Sequence, residues 1–105
     1  MKSITRTEEM IMLAILNLHE DAYLVSIQTY LSEIYEKKVS LTSVHLPLQR
    51  LEKINYLFSK MGEATAVRGG RRKKIYQVTD EGFEALEEYR NISNRLWDNY
   101  FKMET

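Results

Sequence analysis

Apolar residues recur through the first half of the chain at spacings of three and four, which place them on one side of a helix. Ile11, Ala14, Ile15 and Leu18 form the first such stripe. Ahead of it, Thr5-x-x-Glu8 has the form of a capping box, in which a hydroxyl and a carboxylate satisfy the orphan amides of a helix start. A helix therefore begins near Thr5 or Thr7. His19-Glu20-Asp21 breaks the pattern as a polar turn. Tyr23, Ile27, Leu31 and Ile34 then predict a second helix, from about Ala22 to Lys37, facing the first. Lys37 and Lys38 close it at the negative end of its dipole. Ser40-Leu41-Thr42-Ser43 offers three N-caps for a third helix, whose stripe is Val44, Leu48 and Leu51, with Ile54 and Leu57 beyond. It ends at Asn55, a residue that tolerates the left-handed conformation of a helix terminus. Pro47 is the odd residue, because an interior proline costs a helix roughly 3 kcal/mol. It predicts either a late helix start near Ser43 or a bend.

From Tyr56 the pattern changes. Tyr56 to Met61 reads as a strand, Gly62 to Arg72 as a loop, and Lys73 to Thr79 as a return strand. Thr79-Asp80-Glu81-Gly82 then caps a last helix that runs to about Lys102. Leu86, Tyr89, Ser93, Leu96, Tyr100 and Met103 alternate spacings of three and four as in a coiled-coil seam. Phe83, Trp97 and Phe101 add an aromatic stripe. So small a domain cannot cover a helix that is apolar on two faces, and an interface is expected there. The fold class is mainly α with a two-stranded antiparallel hairpin. It is a winged helix-turn-helix over residues 1–79 plus a long dimerisation helix over 80–105, built as one structural unit.

The totals narrow the function. At 105 residues the chain holds one core. Cysteine is absent, which excludes disulfides, thiolate metal sites and a cysteine nucleophile. The longest apolar run, Met10 to Leu16, is far short of the ~20 residues that span a bilayer. Met1 to Arg6 lacks the apolar centre of a signal peptide, so a soluble cytoplasmic protein without a membrane partner is expected. Glu8-Glu9 and Glu87-Glu88 read as solvated helix faces, where sequence neighbours point apart. His19-Glu20-Asp21 is turn chemistry rather than a metal cluster, because three consecutive residues converge poorly on one ion. With the two histidines in turn and third-helix positions, no catalytic triad, metal or cofactor is expected. An enzyme reading has little support.

Charge adds the decisive cue. The formal charge is zero, yet Arg68-Gly69-Gly70-Arg71-Arg72-Lys73-Lys74 packs five cations into seven residues. Removing those five from 15 Lys+Arg leaves 10 against 15 Asp+Glu, so the rest of the chain is acidic by five. In a winged helix-turn-helix the second helix of the turn motif enters the major groove, while flanking cations hold phosphates. The third helix offers Ser40, Thr42, Ser43, His45, Gln49 and Arg50 for DNA contact. Gln pairs well with adenine, and Ser or Thr is permissive. The wing offers Arg68, Arg71, Arg72 and Lys73 for phosphate or minor-groove contact. In the last helix, Leu86, Tyr89, Ser93, Leu96, Trp97, Tyr100 and Phe101 are assigned to a dimer interface. Trp97 there is either a core anchor or the wall of an effector cavity between protomers.

Glu9-Met10-Ile11-Met12-Leu13-Ala14-Ile15-Leu16, Asp21-Ala22-Tyr23 and the run from Arg68 to Gly82 together resemble the PadR family of bacterial transcriptional regulators. The resemblance covers nearly the whole chain, and its most specific part is the wing running into Val78-Thr79-x-Glu81-Gly82. It implies a homodimeric winged-helix repressor of the compact subfamily, binding double-stranded DNA and released by a small, often aromatic, effector or by another stress signal. Three stretches depart from the family: Tyr23-Leu24 stands where Tyr-Gly is usual, Val44-His45-Leu46-Pro47-Leu48 where Val-Tyr and a polar pair precede the Leu, and Ile54-Asn55 where Lys-Gly follows the helix. The alternative is a winged-helix protein-interaction module, such as an adaptor or a partner of a membrane sensor.

Overall fold

The computed structural model describes residues 1–62 and 72–104. Among these residues four helices and one hairpin follow in the order α1 (Arg6–Leu18), α2 (Leu24–Tyr35), α3 (Leu41–Lys53), β1 (Leu57–Met61), β2 (Lys74–Val78) and α4 (Asp80–Glu104), with a 3-10 turn at His19–Asp21. This is a winged helix-turn-helix with a long C-terminal helix. The strands are antiparallel, pairing Leu57 with Val78, Ser59 with Tyr76 and Met61 with Lys74. The Tyr76 amide also donates to the Ala22 carbonyl at 2.8 Å, stitching the outer edge of β2 to the entrance of α2.

Ile11, Met12, Ile27, Val44, Leu48, Leu51 and Leu57 are the largest fully buried side chains, and they bring α1, α2, α3 and β1 onto one core. Each contributes about 1.5–3 kcal/mol by leaving water. The predicted stripes account for most of them. Met12 lies outside the predicted α1 stripe, yet it is buried because α1 packs on a second side, beneath the start of α4. Ile34 is the opposite correction: it is 60% exposed in the last turn of α2, which ends one residue later at Tyr35, where Tyr35 rather than Ile34 reaches Met10 of α1.

The capping box forms as predicted. The Thr5 hydroxyl accepts from the Glu8 amide at 3.1 Å, and Glu8 Oε1 accepts from the Thr5 amide at 2.8 Å. Glu8 is not on a solvated face, however; it is only 3% exposed. Its second oxygen takes a 2.5 Å hydrogen bond from Arg50 of α3. The carboxylate is thus buried with its charge matched and both oxygens satisfied, the condition under which burial of an ion is tolerated.

Pro47 does not start α3. The N-cap is Ser40, whose hydroxyl accepts from the Ser43 amide at 3.2 Å, and the helix continues unbroken past Pro47 to Lys53. The missing proline amide leaves the Ser43 carbonyl without its usual helical donor. Just beyond the helix end, Asn55 takes the left-handed conformation with φ 66° and turns the chain toward β1.

Candidate nucleic-acid interface

α3 is amphipathic in an unusual way. Val44, Leu48 and Leu51 are buried on one side. At spacings of three and four on the other side stand Thr42, His45, Leu46, Gln49 and Lys53, all exposed. No acidic side chain lies among these five. Helix surfaces meant only for solvent are usually coated with Glu and Lys, whereas this one presents short or neutral groups able to approach base edges. Lys53 is not among the expected contacts, although the spacing 42, 46, 49, 53 carries the signal. Ser40 and Ser43 are differently placed. Both are exposed but engaged with each other at the cap, with the Ser43 hydroxyl donating to the Ser40 carbonyl at 2.7 Å.

Arg50 is committed elsewhere. Its guanidinium pairs with buried Glu8 and also donates to the Ser3 carbonyl at 3.3 Å, tying the N-terminal segment to α3. Its first task is structural.

Of the wing residues, Arg68 and Arg71 lie outside the described residues. Arg72 and Lys73 are exposed at the start of the return strand. The Lys73 ammonium sits 4.0 Å from the centre of the Tyr23 ring, a cation–π contact that draws the wing base toward the entrance of α2. Lys74 pairs with Glu52 of α3 at 2.8 Å. The hydrogen bonds from Lys74 and then from Ser59 hold the Glu52 carboxyl below its usual range, and the same Glu52 bond raises the Lys74 ammonium. Both partners are therefore charged at neutral pH. Being partly exposed, the pair contributes less than about 1 kcal/mol and serves mainly to fix β2 against α3. Tyr23, Leu24, Val25, His45, Lys73 and Tyr76 line a groove of about 440 Å³ between α2, α3 and the wing, together with Lys74.

At the far end of the chain α4 leaves the core. Gly82, Ala85 and Leu86 are buried in it, so Leu86 belongs to the protomer's own interior. Tyr89 is half-buried against the same core. Ile92, Leu96, Trp97, Tyr100, Phe101 and Met103 are exposed. Trp97 stacks on Phe101 with ring centres 5.8 Å apart and meets Tyr100 edge-on at 6.4 Å. Ser93, Leu96, Trp97 and Tyr100 line a shallow depression of about 430 Å³. Among the described residues no group of His, Cys, Asp and Glu could hold a metal ion. No described helix is long and apolar enough to cross a membrane.

No protein-family model matches the sequence, and no curated protein matches it. Solved structures do. A PadR-like transcriptional regulator from Bacillus cereus superposes with a TM-score of 0.72 at 24% identity, covering 93% of this chain and 90% of that one. A PadR-like transcription factor from Bacteroides fragilis gives 0.72 at 24% identity, covering 93% and 92%. A PadR family transcriptional regulator from Eggerthella lenta gives 0.69 at 25% identity, covering 89% and 79%. This chain has the PadR fold.

Two of its departures from the usual PadR sequence now have a physical account. Asn55 replaces the glycine after α3 and adopts the left-handed conformation itself, which Asn does at low cost. Leu24 replaces the glycine after Tyr23 at the first helical position of α2, where no positive φ is needed. The Thr79-Asp80-Glu81-Gly82 segment, the most specific part of the resemblance, forms a joint. The Thr79 hydroxyl donates to the Asn55 carbonyl at 2.7 Å and accepts from the Gly82 amide at 3.0 Å. Glu81 accepts from the Asn55 side chain at 3.2 Å. In this PadR fold the motif thus ties the end of α3 to the start of α4.

Proposed function

We propose that this chain is a homodimeric, sequence-specific DNA-binding transcriptional regulator acting as a repressor. The observation that carries the reading is the outward face of α3, where Thr42, His45, Leu46, Gln49 and Lys53 are exposed opposite a fully buried side. α3 enters the major groove, and Thr42, His45 and Gln49 read base edges while Lys53 holds backbone. Ser40 and Ser43 contribute cap hydroxyls and amides near phosphate. Arg68, Arg71, Arg72 and Lys73 of the wing take phosphates and supply affinity without sequence preference. Residues 1–79 bind DNA and 80–105 dimerise, sharing one core through the Asn55–Thr79 joint.

The test is a fluorescence-polarisation titration against a duplex selected from random DNA. Neutralising Arg71, Arg72 and Lys73 to glutamine together should weaken binding to every sequence alike. It should also reduce the slope of log affinity against log salt by about 0.9 for each phosphate that a cation no longer neutralises. An unchanged slope would show that the wing does not touch the backbone.

Repression also needs a release. Trp97, Tyr100 and Phe101 supply aromatic walls, and Ser93 a polar group, for a planar aromatic effector held between protomers. The chain contains one tryptophan. Titration with planar aromatic compounds should therefore quench Trp97 emission saturably and lower DNA affinity in the same concentration range. Quenching with no change in DNA binding would remove the regulatory role.

A further inference from the structure

We infer that Leu46 is a specificity-determining residue that reads the 5-methyl group of a thymine in each operator half-site. The inference rests on the DNA-binding reading above and adds the base to it. Leu46 is 58% exposed in the middle of the outward face of α3, between Thr42 and Gln49 along the helix and beside His45. Among the described residues nothing packs an apolar group there. The core side of the helix is already filled by Val44, Leu48 and Leu51, and every other member of the outward face is polar. Leu41, another exposed leucine of this helix, sits at the first helical position about 140° around the axis from Leu46. Leu46 alone shares the face of the polar readers.

The floor of the major groove is polar everywhere except at one group, the thymine methyl. A leucine that enters the groove among hydrogen-bonding neighbours is therefore complementary to thymine. Over cytosine or a purine it would desolvate polar edges without replacing their hydrogen bonds. Gln49 lies one turn along the same face, within reach of an adjacent step, where its amide pairs with adenine N6 and N7. The half-site should accordingly contain an A·T-rich step whose thymine methyl is read by Leu46. Pro47 follows immediately, and its missing amide and fixed φ restrict the backbone that carries the leucine.

The experiment replaces, one at a time, each thymine of a duplex selected by the wild-type protein with deoxyuridine, which lacks only the methyl. At one position per half-site the wild type should lose about fourfold in affinity, the worth of one buried methyl. Leu46→Ala, a surface change that leaves the core untouched, should bind the thymine duplex more weakly and be indifferent to deoxyuridine at that position. Circular dichroism confirms that the variant is folded. Equal binding of the wild type to all deoxyuridine duplexes would overturn the inference, as would a sensitive position that stays equally sensitive in Leu46→Ala. Failure of the wild type to enrich any sequence would instead overturn the DNA-binding reading and this inference with it.

Discussion

Gly82→Ala should destabilise the fold by about 3 kcal/mol, the upper part of the range for overpacking a closed site. A Cβ at this position would lie 2.2 Å from the Tyr56 carbonyl oxygen and 3.1 Å from the Met12 side-chain methyl. Met12 is flexible enough to move aside, but the Tyr56 carbonyl is not, because it accepts the Thr79 amide at 3.1 Å. Making room for one methyl group therefore means lifting α4 off the core and breaking the joint with α3. Thermal unfolding at fixed protein concentration should show Tm lower by about 10 °C or more. Glu81→Ala, one residue away, removes only an exposed hydrogen bond and should cost less than about 1 kcal/mol. Comparable losses in the two variants would mean that the close approach at Gly82 does not govern this junction. The ordinary helix rule, under which alanine is better than glycine by about 1 kcal/mol, predicts the opposite sign for Gly82→Ala.

The second large effect is expected at the other end of α4. Replacing Trp97 and Phe101 together with alanine should raise the dimer dissociation constant about a thousandfold, since buried aromatic anchors are each worth about 2 kcal/mol or more at interfaces. The two rings are 56% and 55% exposed in the single chain and stack on each other rather than on the core. Their loss should therefore leave the protomer folded. Sedimentation at a series of concentrations would show dimer for the wild type and monomer for the variant. A palindromic duplex would then lose the gain that comes from linking two half-site contacts. A wild type that sediments as a monomer at high concentration would sink the dimer proposal directly.

Gly82 and Trp97 show how differently the parts of this protein can be read. The helical stripes, the Thr5–Glu8 capping box, the left-handed turn at Asn55 just after α3 and the hairpin all follow from local rules. Periodicity, cap chemistry and turn tolerance each depend on residues a few positions apart, so the string of residues contains them. The apolar length of α4 is legible for the same reason, as an excess that one small core has no room to cover. Thr42, His45 and Gln49 are likewise visible as the polar side of a striped helix.

What local rules cannot contain is which surfaces meet. Glu8 reads as half of a solvated carboxylate pair, yet Arg50, 42 residues away, brings a guanidinium to it. The same contact gives Arg50, itself exposed on α3, a structural partner in Glu8. Lys73 and Lys74 are neighbours in one basic run, yet one rests on Tyr23 at the entrance of α2 and the other on Glu52 of α3. Pro47 predicts a late helix start or a bend, and the Ser40 cap together with burial of Val44, Leu48 and Leu51 rules out the late start. Gly82 is required because of a carbonyl 26 residues earlier in the chain. By itself the sequence determined the elements, the polar side of α3 and the concentration of positive charge, because these are properties of short segments. Only the tertiary structure decided which charges are spent on holding the fold and which face outward, because burial and pairing depend on contacts between segments far apart in the chain.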